Sequence, residues 1–371
     1  MIYSQYTERI KRIVSDNQSK KLEKSLHLND DMFNNKNIIL GHEFNQAKIF
    51  SEQRTFNKKQ HLNLPSLENS IPNVAISNSK IGLHPDFKHL KNTDGTANHY
   101  IVSVFIDIMG STNLFKSYSL EEIYGITNTI QCAAIDTCVR FGGHIQRLQG
   151  DGVFAYFGGK TINRKFAIKM SLLACSMFTY FVKNDLRNIF EVEGIEDIKT
   201  RIGIDFGDDD KVLWANFGML DVSELTTLSL HTSLASKMQA YAKPNGIVIG
   251  KNIVEKTAMD SALYDYVRNY KGEVEKCYIF EDNKNNFRYS QHEFKWFEYL
   301  TKLPFINNIG NGVLTIDLAK FEEILEKERI NRLHGTTKLI NTDTAYLDKY
   351  GRFSDNSSGV KVEPNRFHYG K

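Results

Sequence analysis

The chain has 371 residues, is 41% hydrophobic, and carries 47 basic against 44 acidic side chains, a net charge of +3. That length has room for one large domain or two modest ones, and so small a charge excess argues against a protein that coats nucleic acid. Four cysteines, Cys132, Cys138, Cys175 and Cys277, form no CxxC pair and no framework spacing, which fits a reducing cytoplasm and excludes a disulfide scaffold.

The start is polar and charged, with no leader pattern. Residues 1–95 are rich in Asn, Ser and Lys; their periodicity predicts an amphipathic helix near 5–26 with a solvated basic face, then an extended, Pro-punctuated connector over 64–87. Composition changes sharply at His99. A strand is expected over 100–108. Ser119 with Glu122 three positions on is a capping box opening a helix that runs to Arg140 and stops at Gly142-Gly143. "HIQRLQGDGVFAYFG" reads as two strands around a Gly150-Asp151-Gly152 turn. A helix is expected over 163–183; its most apolar window, Ala167 to Val182, is short of a membrane span and carries Lys169, so it reads as a core helix and no membrane partner is expected. A strand "IKTRIGIDFG", a solvated acidic turn at Asp208–Asp210, a strand "KVLWANFG", a helix "TSLASKMQAYA" and a strand "IVIG" complete the block. Helices alternating with mixed strands make this an α/β or α+β domain. Three segments result: an N-terminal extension 1–95, a domain 96–285, and a C-terminal extension 286–371 with one helix over 318–330 and a weakly apolar tail from 351 that lacks the makings of a core.

Asp107 lies inside the 100–108 strand, just before Gly110-Ser111-Thr112. A buried carboxylate without compensation is unfavourable, so a cation is expected beside it. Asp151 sits in the hairpin turn. Either aspartate alone is an ordinary turn residue. If the strand lies beside the hairpin, both side chains meet, and paired carboxylates with few other hard ligands suit Mg²⁺ or Mn²⁺. Backbone amides of the Gly110-Ser111-Thr112 turn are then placed to hold phosphate oxygens. No P-loop or GxGxxG is present, no histidine has zinc spacing, and His144 and His231 read as packing or surface residues.

In "FIDIMGST", "FGGHIQRLQGDGVFAYFG", "RIGIDFG" and "LTTLSLHTSLASKMQAYAKPNGIVIG" the chain resembles the class III nucleotidyl cyclases, with the segments in family order across about 99–257. The resemblance implies a ferredoxin-like palm with a mixed, mainly antiparallel sheet, and a homodimer with active sites at its interface. It implies two Mn²⁺ or Mg²⁺ ions held by Asp107, Asp151 and the backbone carbonyl of Ile108, and a nucleoside triphosphate whose 3′-oxygen attacks the α-phosphorus. Lys237 falls where the family has an arginine on the transition-state phosphate, keeping the charge but losing the fork. Ser233 falls at the ribose-orienting asparagine. Arg147 falls where adenylate cyclases have a base-reading lysine, and Thr226 where they have the aspartate that accepts the adenine amine. Phe105, two positions from Asp107, is placed to pack beneath base or ribose, or to serve as a core aromatic.

Without that acidic acceptor, and with a donor-only arginine, a carbonyl-rich base is expected. With "GIDFG", "KVLWANFG" and the lysine in "ASKM", this resembles the bacterial pyrimidine cyclases of antiphage Pycsar systems. The implied product is cyclic UMP from UTP, with cyclic CMP next and purine products after it, and the messenger activates a separate effector protein. Rival readings are another palm-type enzyme, such as a diguanylate cyclase or polymerase, and a degenerate cyclase-homology domain acting as a nucleotide sensor.

Overall fold

The computed structural model describes Tyr3 and residues 5–13, 81–187, 190, 198–310, 313–317, 319–324 and 326–327, together with the backbone of three short strands near the C-terminus. Two compact units emerge: residues 1–63 with 74–303, and residues 64–73 with 304–371. This division falls at 303/304, where the sequence reading placed one at 285/286.

The first unit is built on strand β2 (Ile101–Met109), paired antiparallel with β4 (Gly152–Phe157) on one side and β5 (Lys199–Gly207) on the other. The main sheet runs β10 (Tyr278–Asp282), β11 (Phe287–Phe294), β8 (Gly246–Gly250), β5, β2, β4, β3 (Gly143–Gln149), with β9 (Tyr264–Tyr266) beside β11. Only β5 and β8 are parallel. In β2 the side chains of Val102, Val104, Ile106 and Ile108 are buried, while Phe105 and Asp107, on the other face, are half-buried. That period of two is the strand signal expected for 100–108.

Helix α2 (Leu120–Arg140) opens on the expected capping box: Ser119 Oγ accepts from the Glu122 amide and the Glu122 carboxylate accepts from the Ser119 amide. Helix α3 (Arg164–Tyr180), which continues as a π turn through Phe181–Leu186, is long and apolar enough to cross a membrane, yet 78% of its most apolar window is buried inside the protein. Helix α1 (residues 5–13) contributes Tyr6 and Ile10 to this core, and Tyr3 stacks on Phe181 at 4.1 Å while its hydroxyl meets Thr137 Oγ1. The rest of the expected 5–26 helix, and the connector as far as residue 80, lie outside the described residues.

On the Asp107 face, helix α4 (Leu230–Tyr241) lies directly on β5. A Cβ at Gly203 would fall 2.1 Å from the Ala235 carbonyl oxygen, so only glycine permits the helix to approach this closely. Beside it stands a second sheet of β1 (Thr96–Asn98), β6 (Leu213–Met219) and β7 (Val222–Leu228). Trp214 of β6 is fully buried and stacks on Phe87 at 4.1 Å, in a cluster with Leu90, Phe154 and Tyr156. The described part of the region before residue 96 therefore contributes to the domain core. The acidic turn is ion-paired rather than simply solvated: Arg164 bonds Asp208 and Asp209, and Lys256 bonds Asp208.

In the second unit, β12 (Ile306–Asn308) pairs antiparallel with β13 (Leu314–Ile316), and Phe321 is buried against Phe305. The helix expected over 318–330 is described at 319–324 and 326–327. Strands β14 (Ala345–Leu347), β15 (Phe353–Ser354) and β16 (Val360–Val362) form a small antiparallel sheet, so part of the tail from 351 is hydrogen-bonded where no order was expected. The short Phe- and Val-bearing runs there are good strand formers.

Candidate active site

The structure brings the two aspartates together. Asp107 is near the end of β2, and the β3–β4 turn places Gly152 so that a Cβ there would lie 4.0 Å from Asp107 Oδ1. Asp151, one residue earlier, is close enough for the Asp107 charge to act on it. Burial raises the Asp151 pKa; its own amide and the Ser111 hydroxyl lower it, Asp107 raises it again, and the Ile108 amide lowers it. Asp151 Oδ2 is buried with no hydrogen-bond partner. The turn is held from outside by Gln131 of α2, whose amide donates to the carbonyls of Gly150 and Gly152 at 3.0 and 3.3 Å.

The cation expected beside Asp107 is in the chain itself. Arg201 stands opposite Asp107 in the β2–β5 register, and its Nη2 is 3.0 Å from Asp107 Oδ2. Gln239 Nε2 of α4 donates to the same oxygen at 2.8 Å. Both bonds fall on Oδ2, leaving Oδ1 toward the hairpin. Asp107 Oδ1 faces the hairpin, and the Asp151 carboxylate, with Oδ2 unpartnered, lies within its electrostatic reach; two neighbouring carboxylates are hard-oxygen donors of the kind that suits Mg²⁺ or Mn²⁺. Among the described residues no group of three His, Cys, Asp or Glu side chains gathers anywhere, so completing a coordination shell here requires backbone carbonyls, water or substrate oxygens.

Gly110, with φ 70°, turns the chain into a short 3₁₀ helix (Ser111–Lys116). Its left-handed backbone suits glycine. Ser111 turns its hydroxyl to Asp151 and Thr112 is exposed. Amides at the head of such a turn have no intrahelical acceptor.

Lys237 and Ser233 are exposed on α4. Four residues apart, they share one helix face, whereas Gln239 is two positions from Lys237 and points away from it. The single chain therefore does not turn Lys237 toward Asp107. Ser233 Oγ donates to the Ser229 carbonyl within its own helix. Phe105 stacks on Phe154 at 4.1 Å, packed against the Trp214 cluster. Thr226 lies within hydrogen-bonding distance of the Tyr156 hydroxyl, in a chain of hydroxyls that continues through Thr227 and Thr232 to Ser103.

Arg147 is not a free cation. Its Nε donates to Glu224 Oε1 at 3.0 Å, and Nη2 contacts Oε2. Buried Gln146 donates to Glu224 Oε1 as well. Sequence reasoning missed Arg201, Gln239 and Glu224. The arginine of "TRIG", directly before the buried run Ile202–Gly207, hinted at the first; nothing local marked the other two.

His231 is buried, bonded through Nδ1 to fully buried Asp205, whose other oxygen accepts from the Tyr289 hydroxyl. His144 is buried against His84. Both histidines pack, as expected; neither is at the surface.

No family profile matches the chain. A cytidylate cyclase of Staphylococcus aureus is 41% identical over 233 residues, covering 62% of this chain and 54% of that protein. One from Escherichia coli is 35% identical over 247 residues, covering 64% and 53%. The chain thus spans about half the length of these curated relatives. Among solved structures, the adenylyl cyclase CyaB from P. aeruginosa superposes with a TM-score of 0.45 at 19% identity, over 54% of this chain and 95% of that one. In its sequence relatives, and in a sheet that sets two aspartates side by side, the domain is similar to the class III nucleotidyl cyclases. Both of these curated relatives are named cytidylate cyclases.

Proposed function

We propose that the protein is a pyrimidine nucleotide cyclase that converts CTP to 3′,5′-cyclic CMP and pyrophosphate. The observation that carries the reading is the electrostatic coupling of the neighbouring Asp107 and Asp151 carboxylates, with Asp151 Oδ2 unpartnered and one Asp107 oxygen already committed to Arg201 and Gln239. Divalent ions held there by Asp107, Asp151 and the Ile108 carbonyl would neutralise the triphosphate and acidify the ribose 3′-hydroxyl. The chain's own part is positioning. Arg201 holds Asp107 in one rotamer and adds positive charge beside the phosphates, and Gln131 fixes the turn that aims Asp151. The Gly110–Thr112 amides face the incoming anion. The 3′-oxygen then forms a bond to the α-phosphorus in line with departing pyrophosphate, and the hydroxyl proton leaves to solvent.

Lys237 and Ser233 enter this reading from a second copy of the chain. The β6–β7 hairpin supports such an assembly, with Met219, Leu220 and Val222 all more than 70% exposed at its tip. The sequence reading put UTP first because position 226 is not acidic. Glu224, two residues away on the same face of β7 and joined to Arg147, restores an acceptor and moves CTP ahead. The names of the curated relatives support the same order. A role as messenger synthase in antiphage defence, acting through a separate effector, extends the proposal on the resemblance to Pycsar cyclases.

Purified protein with all four NTPs and Mn²⁺, analysed by mass spectrometry, tests this. Cyclic CMP as the main product is expected. Pyrophosphate without a cyclic monophosphate would mean another palm-type enzyme, and no turnover by either route would mean a sensor.

A further inference from the structure

A cavity of about 610 Å³ opens beyond the carboxyl ends of β5 and β8, the parallel pair of the main sheet. Its volume is in the range of small-molecule sites, roughly 300–1,000 Å³, and the carboxyl ends of parallel strands are where sheets of this kind take ligands. It is separate from the paired aspartates. Phe206 on its wall is five residues along β5 from Arg201, the residue opposite Asp107, a span of about 16 Å.

One side of the cavity is held rigidly. Asp205 is fully buried, and its carboxylate accepts from the Phe206 amide at 2.8 Å, the Tyr289 hydroxyl at 2.7 Å and His231 Nδ1 at 2.9 Å. A Cβ at Gly250 would fall 2.1 Å from Asp205 Oδ1, so only glycine leaves room for this carboxylate. Its three donors satisfy the buried charge without a ligand, and they fix His231 and Tyr289, which both line the cavity. Phe287 lies two residues from Tyr289 on the same face of β11, with ring centroids 6.4 Å apart and planes 25° apart, and is 41% exposed. The two rings make a shelf for a flat ligand.

The wall carries one cation beyond its carboxylates. Each of its three lysines is paired with a carboxylate of the same wall, as Lys256 is with Asp208 at 2.6 Å. The fourth cation, Arg288, has its partner Glu281 outside the cavity at 3.6 Å, with both side chains about half exposed. So open an ion pair holds its arginine weakly, and a guanidinium offers a fork of donors that fits a phosphate. Asn252 donates its side-chain amide to the Phe206 carbonyl at 2.8 Å, which leaves its own oxygen as an acceptor.

We propose that this cavity is a second ligand site, for a mononucleotide, with the base on the Phe287–Tyr289 shelf and the single phosphate on Arg288. One phosphate matches the one unbalanced cation, whereas a triphosphate would be repelled by the surrounding carboxylates. Cyclic and open monophosphates share this chemistry. A ligand seated there touches His231, in the first turn of the helix whose Gln239 bonds Asp107.

Titration calorimetry of the full chain in EDTA, with cyclic CMP and CMP as probes, tests this. Saturable binding of at least one of them is expected, and the tighter of the two tells whether the cyclic or the open form is the ligand. Arg288→Ala should weaken it about tenfold, the loss of one charge-assisted contact, and Phe287→Ala several-fold through lost stacking. Both side chains are exposed enough for the variants to fold. Asp151→Asn, at the aspartate pair, should leave the affinity unchanged. No binding of either probe at millimolar concentration overturns the proposal, and so does unchanged affinity in Arg288→Ala or Phe287→Ala. A loss in Asp151→Asn as large as in Arg288→Ala also overturns it, because the nucleotide would then sit at the aspartates. Binding in EDTA does not require turnover, so a protein that makes no cyclic CMP from CTP refutes the cyclase reading and leaves this site standing.

Discussion

Asp107 and Asp151 look alike as metal ligands, but replacing each with asparagine should have opposite effects on stability. Asp151 Oδ2 is buried without a partner and its carboxyl is pushed up by burial, so in metal-free protein the charge is a liability. Removing it in Asp151→Asn should gain about 1 kcal/mol, the low end for an unsatisfied buried group. For a unit of this size that is a rise of about 2 °C in Tm. Asp107 is the counter-ion of Arg201, whose side chain is 25% exposed and whose Nε is already buried without a partner. Asp107→Asn strips that cation of its charge partner and should lose about 1–3 kcal/mol, less than the ~3–5 for fully buried pairs because solvent screens the site. Calorimetric melts in EDTA and then in Mn²⁺ test both halves. At a hundredfold excess over Kd the metal should add about 2.7 kcal/mol to the wild type and far less to either variant. If Asp151→Asn lowers Tm in EDTA, or keeps the full Mn²⁺ shift, the metal site is misplaced.

Three other outcomes follow from the described contacts. His84 and His144 are buried against each other with pKa values depressed to about 3 and about 4, chiefly by desolvation. An unfolded histidine takes up its proton near pH 6.5, so their contribution is complete above that pH and is lost as pH falls toward 4; unfolding free energies from urea melts at pH 7.5 and 5.0 should differ by roughly 1–2 kcal/mol per histidine, and equal values would contradict their burial as neutral rings. Ser119→Ala removes the capping-box acceptor of α2 and should cost about 1 kcal/mol, read as a lower denaturant midpoint with unchanged slope. Gln131→Leu leaves the Gly150 and Gly152 carbonyls without their donor; Mn²⁺ affinity should fall several-fold by titration calorimetry, and an unchanged Kd would mean the turn needs no support from α2.

What was legible in the sequence was local. The β2 alternation, the Ser119–Glu122 box and the Gly150–Gly152 turn each write their geometry into a few adjacent residues, and all three formed as expected. Placing Asp107 beside Asp151 required only that β2 pair with β4. What was missed depends on register between distant strands. Arg201 meets Asp107 across 94 positions and Glu224 meets Arg147 across 77, and neither pairing leaves a periodic trace. Phe87 was read as part of a connector because proline and polar residues surround it, yet its ring fills the space over Trp214. The compensating cation for Asp107 was correctly demanded by electrostatics but assigned to a metal alone, when an arginine in the chain already stands there.

The bare backbone at Gly203 has a mechanical consequence. With no side chain between β5 and α4, helix and strand have no slack and must shift together. Force applied to the outward face of α4, where Ser233 and Lys237 stand, would pass through Gln239 to the Asp107 carboxylate with little damping. In the proposed dimer, a subunit docking on that face would then do more than bring a lysine: it would also trim the aim of the carboxylate proposed to hold the metal.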